Sequence, residues 1–235
     1  MSGIIAKVRT IFNEHSVIQT VKQLDTFIPP NNGWNYVMVE NDLNDKSGER
    51  SFAFEDTTGK WMLFIPDADF IKVFRGVARL AANLELTNSF KASGGREKSH
   101  VFCIYCRNFK NIKFVRKIAK IIMDSGFIDN YGVKYKDGTR AIFFKPDDAT
   151  RGNFYSESGN SMTLYKFTNK AELFFKEFDQ DYNPHWSLVE DDNNLEVLDN
   201  YEIYFDYKYS ESKGLDTYEG DKPILKLYKD RSIKT

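Results

Sequence analysis

Residues 59–84, GKWMLFIPDADFIKVFRGVARLAANL, decide the fold of this chain. Lys60–Pro66 is strongly apolar, as the residues of a buried strand are. Asp67 then offers a good helix N-cap, and apolar residues recur every three or four positions on one face as far as Leu84. This stretch therefore predicts a strand that leads directly into an amphipathic helix, Asp67–Asn83.

The same succession recurs further along the chain. Val101–Cys106 has the composition of a strand, Asn108 or Asn111 can cap a second amphipathic helix, and Gly126 after Ser125 supplies a left-handed C-cap. Further strands are predicted at Trp34–Glu40, Ser51–Glu55, Val133–Tyr135 and Arg140–Lys145. Strands joined by hairpins, with helices between them, predict an α+β fold: a curved antiparallel sheet with two long helices on one face.

The chain divides into three predicted parts. Ile4–Leu24 has apolar residues at helix-like spacing, so residues 1–32 are expected to form an N-terminal helical segment. Residues 33–168 are the expected α+β core domain. Residues 169–235 are an acidic C-terminal extension, packed on the core or continuing it, and Asn169 is expected to cap a short helix over Lys170–Phe178.

Charge is distributed unevenly along a chain whose net charge is only −1. Residues 71–151 carry 17 Lys and Arg against 7 Asp and Glu, whereas residues 172–221 carry 3 against 15. A basic middle suits a phosphate or nucleic-acid ligand, and an acidic C-terminal part suits shielding of that surface or contact with a basic protein partner. The alternative is that both are solvated faces of one neutral protein.

Two cysteines, Cys103 and Cys106, form a C-x-x-C inside the predicted strand. Alternation along a strand puts them on opposite faces, whereas a redox C-x-x-C sits at a helix N-terminus and a zinc site needs two further ligands. No metal or cofactor is therefore predicted. Two thiols and no signal peptide favour a reducing, cytoplasmic compartment, and no apolar run approaches the roughly 18 residues of a membrane span.

The order of these elements resembles that of translation initiation factor 4E. Gly59-Lys60-Trp61 opens one strand, and a helix, a basic glycine loop and the strand His100–Tyr105 follow, as in that family. Trp34–Asp42 is similar to the family's first strand. Several blocks, Phe144–Thr150 among them, are more closely similar to the family of basophilic leukemia-expressed protein, which has the same fold. The resemblance covers roughly residues 33–155 and implies a 4E-like fold.

The 4E resemblance implies a phosphorylated ligand and residues that hold it. Members of that family hold the base of the cap between two Trp rings, with a Glu on its edge; the second such pair corresponds to Phe54-Glu55, and the first has no clear counterpart. Phe54 would offer a stacking surface and Glu55 an acceptor for the N–H groups of a base. The family's phosphate-binding cations correspond to Lys91, Arg96 and Lys98.

The residues around the basic glycine loop point to anion binding in their own right. Lys91, Arg96, Lys98 and His100 surround Gly94-Gly95. A glycine-containing loop lets backbone N–H groups approach an anion, and the cations add charge-assisted hydrogen bonds. The alternative is an ordinary solvated hairpin loop.

A weaker resemblance is to bacterial phosphothreonine lyases. That family has a K-x-H that leads into a strand, matched here by Lys98-Ser99-His100, a downstream K-W-K, matched by Lys134-Tyr135-Lys136, and a Y-x-K-P-D, matched by Phe143–Asp147. A β-elimination needs a base and an acid, and Lys136 and His100 are the candidates. The alternative is that Lys134 and Lys136 are exposed strand lysines.

The two helices are expected to cover one sheet face, so the predicted site lies on the other. Its expected residues are Phe54, Glu55, Lys91, Arg96, Lys98, His100, Lys136 and Lys145. Alternation pairs His100 with Phe102, which could instead draw His100 towards the core. The leading hypothesis is the binding of a nucleotide or an RNA end. The alternatives are a phosphothreonine lyase-like or other phosphate-processing enzyme, and a protein-interaction scaffold.

Overall fold

The computed structural model describes residues 7–12, 15–20, 22–29, 33–39, 58–84, 89–94, 99–147, 163–178 and 184–191. The strands are β1 Lys7–Phe12, β2 His15–Thr20, β3 Gly33–Val39, β4 Gly59–Pro66, β5 Ser89–Gly94, β6 Ser99–Cys106, β7 Val133–Lys134, β8 Arg140–Pro146, β9 Tyr165–Thr168, β10 Leu173–Phe178 and β11 Pro184–Leu188. The helices are α1 Phe70–Leu84, α2 Ile112–Asp124 and α3 Phe127–Tyr131, and 3₁₀ turns span Gln23–Asp25 and Asp67–Asp69.

All of these strands join one sheet in the order β11-β10-β9-β8-β4-β6-β5-β3-β1-β2, with β7 pairing β8 beside this path. Each pairing between them is antiparallel. The sheet is curved and does not close. The predicted fold class, a curved antiparallel sheet with helices on one face, is confirmed.

Both long helices pack on the same face of the sheet. Along β4, Trp61, Leu63 and Ile65 are fully buried on that face. The Trp61 Nε1–H donates to the carbonyl oxygen of Val115 in α2 at 3.2 Å. Phe74 of α1 packs against Phe90 of β5, with ring centroids 5.5 Å apart. Because alternate residues of a strand face opposite ways, the residues between them belong to the other face.

The long helices form where their apolar periodicity predicts them. The Asn111 side chain accepts a hydrogen bond from the backbone N–H of Phe114 at 3.0 Å, so it is the N-cap of α2. Gly126 follows α2 with a φ of +76°, the left-handed conformation that glycine adopts without steric cost. Asp67, expected as the N-cap of α1, lies in the preceding 3₁₀ turn. Among the described residues, no helix is long and apolar enough to cross a membrane.

The prediction of an N-terminal helical segment is wrong. Residues 7–12 and 15–20 form the strands β1 and β2, paired in register from Lys7↔Thr20 to Phe12↔His15. Both strands are rich in β-branched Val, Ile and Thr, which favour a pleated sheet over a helix. β1 also pairs with β3, so these residues extend the sheet beyond the predicted core.

The predicted helix over Lys170–Phe178 is also wrong. Leu173 and Phe175 are buried on the helix-covered face, and Phe174 and Lys176 alternate with them, which is the period of a strand. Asn169 does not cap a helix; its Oδ1 accepts from the backbone N–H of Arg140 at 3.0 Å and ties the β9–β10 turn to β8. β9, β10 and β11 therefore continue the sheet.

Candidate functional site

Lysine side chains gather on the sheet face opposite α1 and α2. We call this the lysine face, and from β3 to β11 it carries Lys60, Lys91, Lys145, Lys166 and Lys176. Strand alternation and register place them there: Lys60 pairs with Lys145, and Lys166 pairs with Phe143. Two described carboxylates flank these strands, Asp147 directly after β8 and Glu172 directly before β10.

The centre of the lysine face is a buried group of charges, the central cluster, made of Lys60, Lys91 and Lys145 with Asp147. Lys60 is 4% exposed and its Nζ forms an ion pair with the Asp147 carboxylate. The backbone N–H of Asp147 donates to the carbonyl oxygen of Thr58 at 2.9 Å, which holds this carboxylate beside the start of β4. Lys60 also lies 5.7 Å from the ring centroid of Tyr105.

Gly59 explains how Lys60 reaches its partners. A Cβ atom at Gly59 would lie 2.4 Å from the ring of Phe144, far inside van der Waals contact. Only glycine lets β4 begin this close to β8, where Gly59 pairs with Pro146 and Lys60 with Lys145. The Gly59-Lys60-Trp61 motif thus serves both faces, with Lys60 in the central cluster and Trp61 in the core.

Burial and mutual repulsion perturb the central cluster. Burial first, and the neighbouring charge of Lys60 second, lower the pKa of Lys145 to about 8. Burial likewise lowers the pKa of Lys91, and Lys60 lowers it further. Burial raises the pKa of the Cys103 thiol, which lies beside them, and Cys103 is therefore neutral. The ammonium form of Lys145 is therefore less stable here than it would be in water. An anion bound beside it would stabilise that form.

One end of the lysine face carries exposed aromatic rings. Lys91 Nζ lies 4.4 Å from the ring centroid of Trp34 and 5.7 Å from that of Tyr36, both on β3. Trp34 is 38% exposed, so part of its ring is accessible to a ligand. Cation–π contacts of this kind keep the lysine beside the ring that a base could stack on.

The opposite end has a second aromatic group, the aromatic patch, made of Lys166, Phe174 and Trp186. Lys166 Nζ lies 4.1 Å from the ring centroid of Phe174 and 5.1 Å from that of Trp186. Lys176 Nζ is also 5.1 Å from the Trp186 ring. Phe143 of β8 packs against Trp186 at 6.1 Å and links the patch to the central strands.

The structure brings together two of the predicted site residues and separates a third. Lys91 and Lys145 lie on the lysine face, as expected. His100 does not, because it shares the helix-covered face with Phe102 and stacks on Phe70 of α1 at 4.2 Å between ring centroids. Its Nδ1 bonds the Ser93 carbonyl oxygen at 2.8 Å, and its Nε2 bonds the Asp67 carboxylate at 2.9 Å. The expectation that His100 joins the lysines is therefore wrong.

Lys136 is exposed, in the turn between β7 and β8. The Gly138 N–H donates to the carbonyl oxygen of Tyr135 at 3.1 Å, and Gly138 has a φ of +84°, so a tight turn holds Lys136 outside the strands. A base at Lys136 and an acid at His100 would need to meet at one substrate. The structure instead buries His100 under α1 and leaves Lys136 in water.

Other predicted residues lie outside the described part of the chain. They are Phe54, Glu55, Arg96 and Lys98 of the predicted site, the strand predicted over Ser51–Glu55, and residues 179–183 and 192–235 of the acidic extension. The roles of these four site residues, and the acidic segment as a contact for a protein partner, stay predictions.

Sequence reasoning missed three of the five lysines of the lysine face, Lys60, Lys166 and Lys176. Lys60 lies inside the Gly59-Lys60-Trp61 motif, which was used as a marker of the family's strand and not as a source of site residues. Lys166 and Lys176 alternate with Tyr165, Phe167 and Phe175, and that period of two was the available signal for strands with a cationic face. The sequence could not predict which lysines lie opposite each other on neighbouring strands, because that depends on register.

The cysteines are placed as expected. Both are buried free thiols. Cys103 pairs with Met62 on the lysine face, whereas Cys106 pairs with Gly59 on the face covered by the helices. Within the part of the chain that the structure describes, no three His, Cys, Asp or Glu side chains gather as a metal site would require.

An antiparallel curved sheet, two long helices on one face and a cationic, aromatic-flanked opposite face define a protein of the 4E-like α+β class. The family model described as basophilic leukemia-expressed protein Bles03 matches residues 38–151. The predicted resemblance to the 4E fold and to this family is confirmed. The matched range contains the central cluster and ends before the aromatic patch. No curated protein sequence matches the chain.

Solved structures of similar fold are eIF4E proteins. The schistosome eIF4E complexed with m7GpppA and 4E-BP is 10% identical, with a TM-score of 0.46 over 69% of this chain and 95% of that one. The C. elegans eIF4E-3 in complex with Mextli and a cap analog is 8% identical, with a TM-score of 0.44 over 62% and 91%. The Ascaris suum eIF4E-3 with the m2,2,7G cap is 9% identical, with a TM-score of 0.42 over 60% and 87%. The ligand of this chain must therefore be argued from its own side chains.

Proposed function

We propose that the lysine face binds a phosphorylated ligand, a nucleotide or the end of an RNA. The observation that carries the proposal is the central cluster: Lys60 and Lys145 are direct cross-strand partners, and Lys91 lies on the same face beyond β6. Among the described residues of this cluster, three lysines on β4, β5 and β8 outnumber one carboxylate, Asp147, and a di- or triphosphate would match the remaining positive charge.

The electrostatics of the free protein support an anionic ligand. The lowered pKa of Lys145 means that its surroundings, Asp147 included, still oppose a positive charge there. A phosphate between Lys60 and Lys145 would relieve the burial cost of both ammonium groups and the repulsion between them. Binding energy at this site is therefore larger than for the same lysines in water, where attraction is screened.

The aromatic rings beside the cluster favour a nucleotide over inorganic phosphate. Trp34 and Tyr36 flank Lys91, so a base could stack at that end while its phosphates reach the central cluster. The predicted roles of Phe54, Glu55, Arg96 and Lys98 in holding a base and its phosphates stay predictions. Because His100 is held under α1 by Ser93, Asp67 and Phe70, the residue predicted as the acid of an elimination does not lie on this face.

The test is a titration of the protein with GTP, with 7-methyl-GTP and with inorganic tripolyphosphate, followed by calorimetry. Lys91→Ala with Lys145→Ala should weaken nucleotide binding by about thirtyfold or more, since two charge-assisted bonds whose effects overlap contribute roughly 2–4 kcal/mol. The matched control is Lys134→Ala with Lys136→Ala, which removes two exposed lysines at the β7–β8 turn and should change little. Equal affinity in both double variants, or no binding of any of the three probes, would refute the proposal.

A further inference from the structure

The lysine face is longer than a nucleotide. From Trp34 on β3 to Trp186 on β11 the sheet crosses seven strand-to-strand steps, in the order β3-β5-β6-β4-β8-β9-β10-β11. Neighbouring strands lie about 4.8 Å apart, so the face measures about 34 Å before curvature is allowed for. A stacked single strand of nucleic acid rises about 3.4 Å per nucleotide, so up to about ten nucleotides would fit along it.

Cations lie along this whole length, and aromatic rings flank them at both ends. Trp34 and Lys91 stand at one end, Lys60 and Lys145 in the middle, and Lys166 with Trp186 at the other end. Strand residues of this face from β3 to β11 include no Asp or Glu among those described; Asp147 joins the central cluster directly after β8, and Glu172 lies directly before β10. A groove of positive charge with stacking rings at intervals is the arrangement that binds single-stranded nucleic acid without sequence preference.

The aromatic patch has no role in binding a mononucleotide. Trp186 is on β11, four strand steps from Lys60 on β4, so a nucleotide whose phosphates reach the central cluster cannot stack on it. Yet Trp186 is only partly buried and is flanked by Lys166 and Lys176, each with its Nζ 5.1 Å from the ring centroid. These are the groups that a second base and its phosphate would need.

We infer that the lysine face is a binding tract for single-stranded RNA or DNA, in which the central cluster holds phosphates and the aromatic patch stacks a base further along the same strand. The inference rests on the proposed function for its central part and adds the second subsite. It also gives a direction: the strand crosses the β-strands, from β5 through β8 towards β11. An acidic polypeptide would match the charge but would leave the rings at both ends without stacking partners.

The experiment compares ligands of different length on one protein. Fluorescence anisotropy would measure binding of labelled oligouridylates of about two, five and ten nucleotides, with competition by UTP, by a ten-base-pair duplex and by polyglutamate. We expect affinity to rise at least about tenfold from two to ten nucleotides, with the duplex and polyglutamate as weaker competitors than the single strand. Equal affinity for all lengths, or stronger competition by polyglutamate, would overturn the inference.

Variants separate the second subsite from the first. Trp186→Ala should weaken binding of the longest oligonucleotide by about five- to a hundredfold, the range for loss of one stacked base, and leave UTP binding unchanged. Trp186→Phe keeps a ring and a β11 side chain, so it should restore most of the affinity if stacking is the reason. If Trp186→Ala binds the longest oligonucleotide as tightly as the native protein does, the inferred single-strand tract is refuted, but the proposed nucleotide site is not. If Lys91→Ala with Lys145→Ala changes neither UTP nor strand binding, both fail.

Discussion

Lys60 and Lys145 lie directly opposite each other on β4 and β8, and both side chains are nearly buried, at 4% and 9% exposure. Like charges directly across a sheet are destabilising, and buried ones more so. One carboxylate, Asp147, pairs with Lys60, and the pKa of Lys145 stays lowered to about 8. A site that keeps such an arrangement is suited to an anionic ligand.

Ligand affinity should fall as pH rises through the pKa of Lys145. The free protein holds Lys145 with a pKa of about 8, so its ammonium form is mostly present at pH 7 and mostly lost at pH 9, while a phosphate with a second pKa of about 6 changes its charge only slightly over this range. Affinity for a nucleoside triphosphate should be about tenfold weaker at pH 9 than at pH 7. Calorimetry in buffers of different ionisation enthalpy should also detect proton uptake on binding at pH 8.

Lys145→Arg is the control for this pH dependence. Arginine keeps its charge throughout the range, so the loss of affinity between pH 7 and pH 9 should shrink in this variant. An unchanged pH profile in Lys145→Arg would assign the titration to another group, and a flat profile in the native protein would contradict the role of Lys145.

Asp147→Asn should destabilise the fold. It removes the carboxylate partner of a buried lysine, Lys60, which costs about 3 kcal/mol or more. Urea unfolding would measure the difference in the free energy of unfolding. The double variant Lys60→Met, Asp147→Leu removes both charges together and should recover a large part of the loss. A single variant as stable as the native protein would show that the ion pair contributes nothing.

His100→Ala should affect stability and not binding. Both nitrogens of this ring are engaged and the ring packs on Phe70, so its removal leaves a cavity under α1 and breaks both contacts, at a cost of about 2–4 kcal/mol. Affinity for nucleotides should stay within about twofold of the native value at a temperature where the variant is folded. A large loss of nucleotide affinity without loss of stability would show that His100 takes part in binding.

The protein should not eliminate phosphate from phosphothreonine peptides. With His100 under α1 and Lys136 exposed at the β7–β8 turn, the acid and base of a β-elimination are not assembled on the lysine face. Incubation with a phosphothreonine peptide followed by mass spectrometry should show no dehydrobutyrine product. Loss of phosphate with that mass change would instead establish a lyase.

Arg96 and Lys98, outside the described residues, keep their predicted role in phosphate binding. Replacing both with Ala should cost phosphate-ligand affinity about 2–4 kcal/mol, from two charge-assisted bonds whose effects overlap. Binding of the native protein should weaken as salt rises, and the dependence on salt should be smaller in the double variant. Unchanged affinity and unchanged salt dependence would show that Arg96 and Lys98 do not contact the phosphate ligand.

Local periodicity was sufficient for much of the fold. α1 and α2 have apolar residues at a spacing of three or four, and Asn111 and Gly126 mark the ends of α2, so these helices were predictable. β4 and β6 were predictable as strands because they are short apolar runs. The same argument failed for residues 7–20, where apolar residues at helix-like spacing are also β-branched; pairing of β1 with β2 and β3 decided in favour of strands.

The sequence by itself determined that this chain has two amphipathic helices, a set of short strands and a basic middle, because each of these is a property of neighbouring residues. Only the tertiary structure decided that Lys60 opposes Lys145, that β9, β10 and β11 carry Lys166 and Trp186 onto the same face, and that His100 points away from it. The physical reason is register: a shift of one residue moves every side chain of a strand to the other face, and register is set by partners far away in the chain.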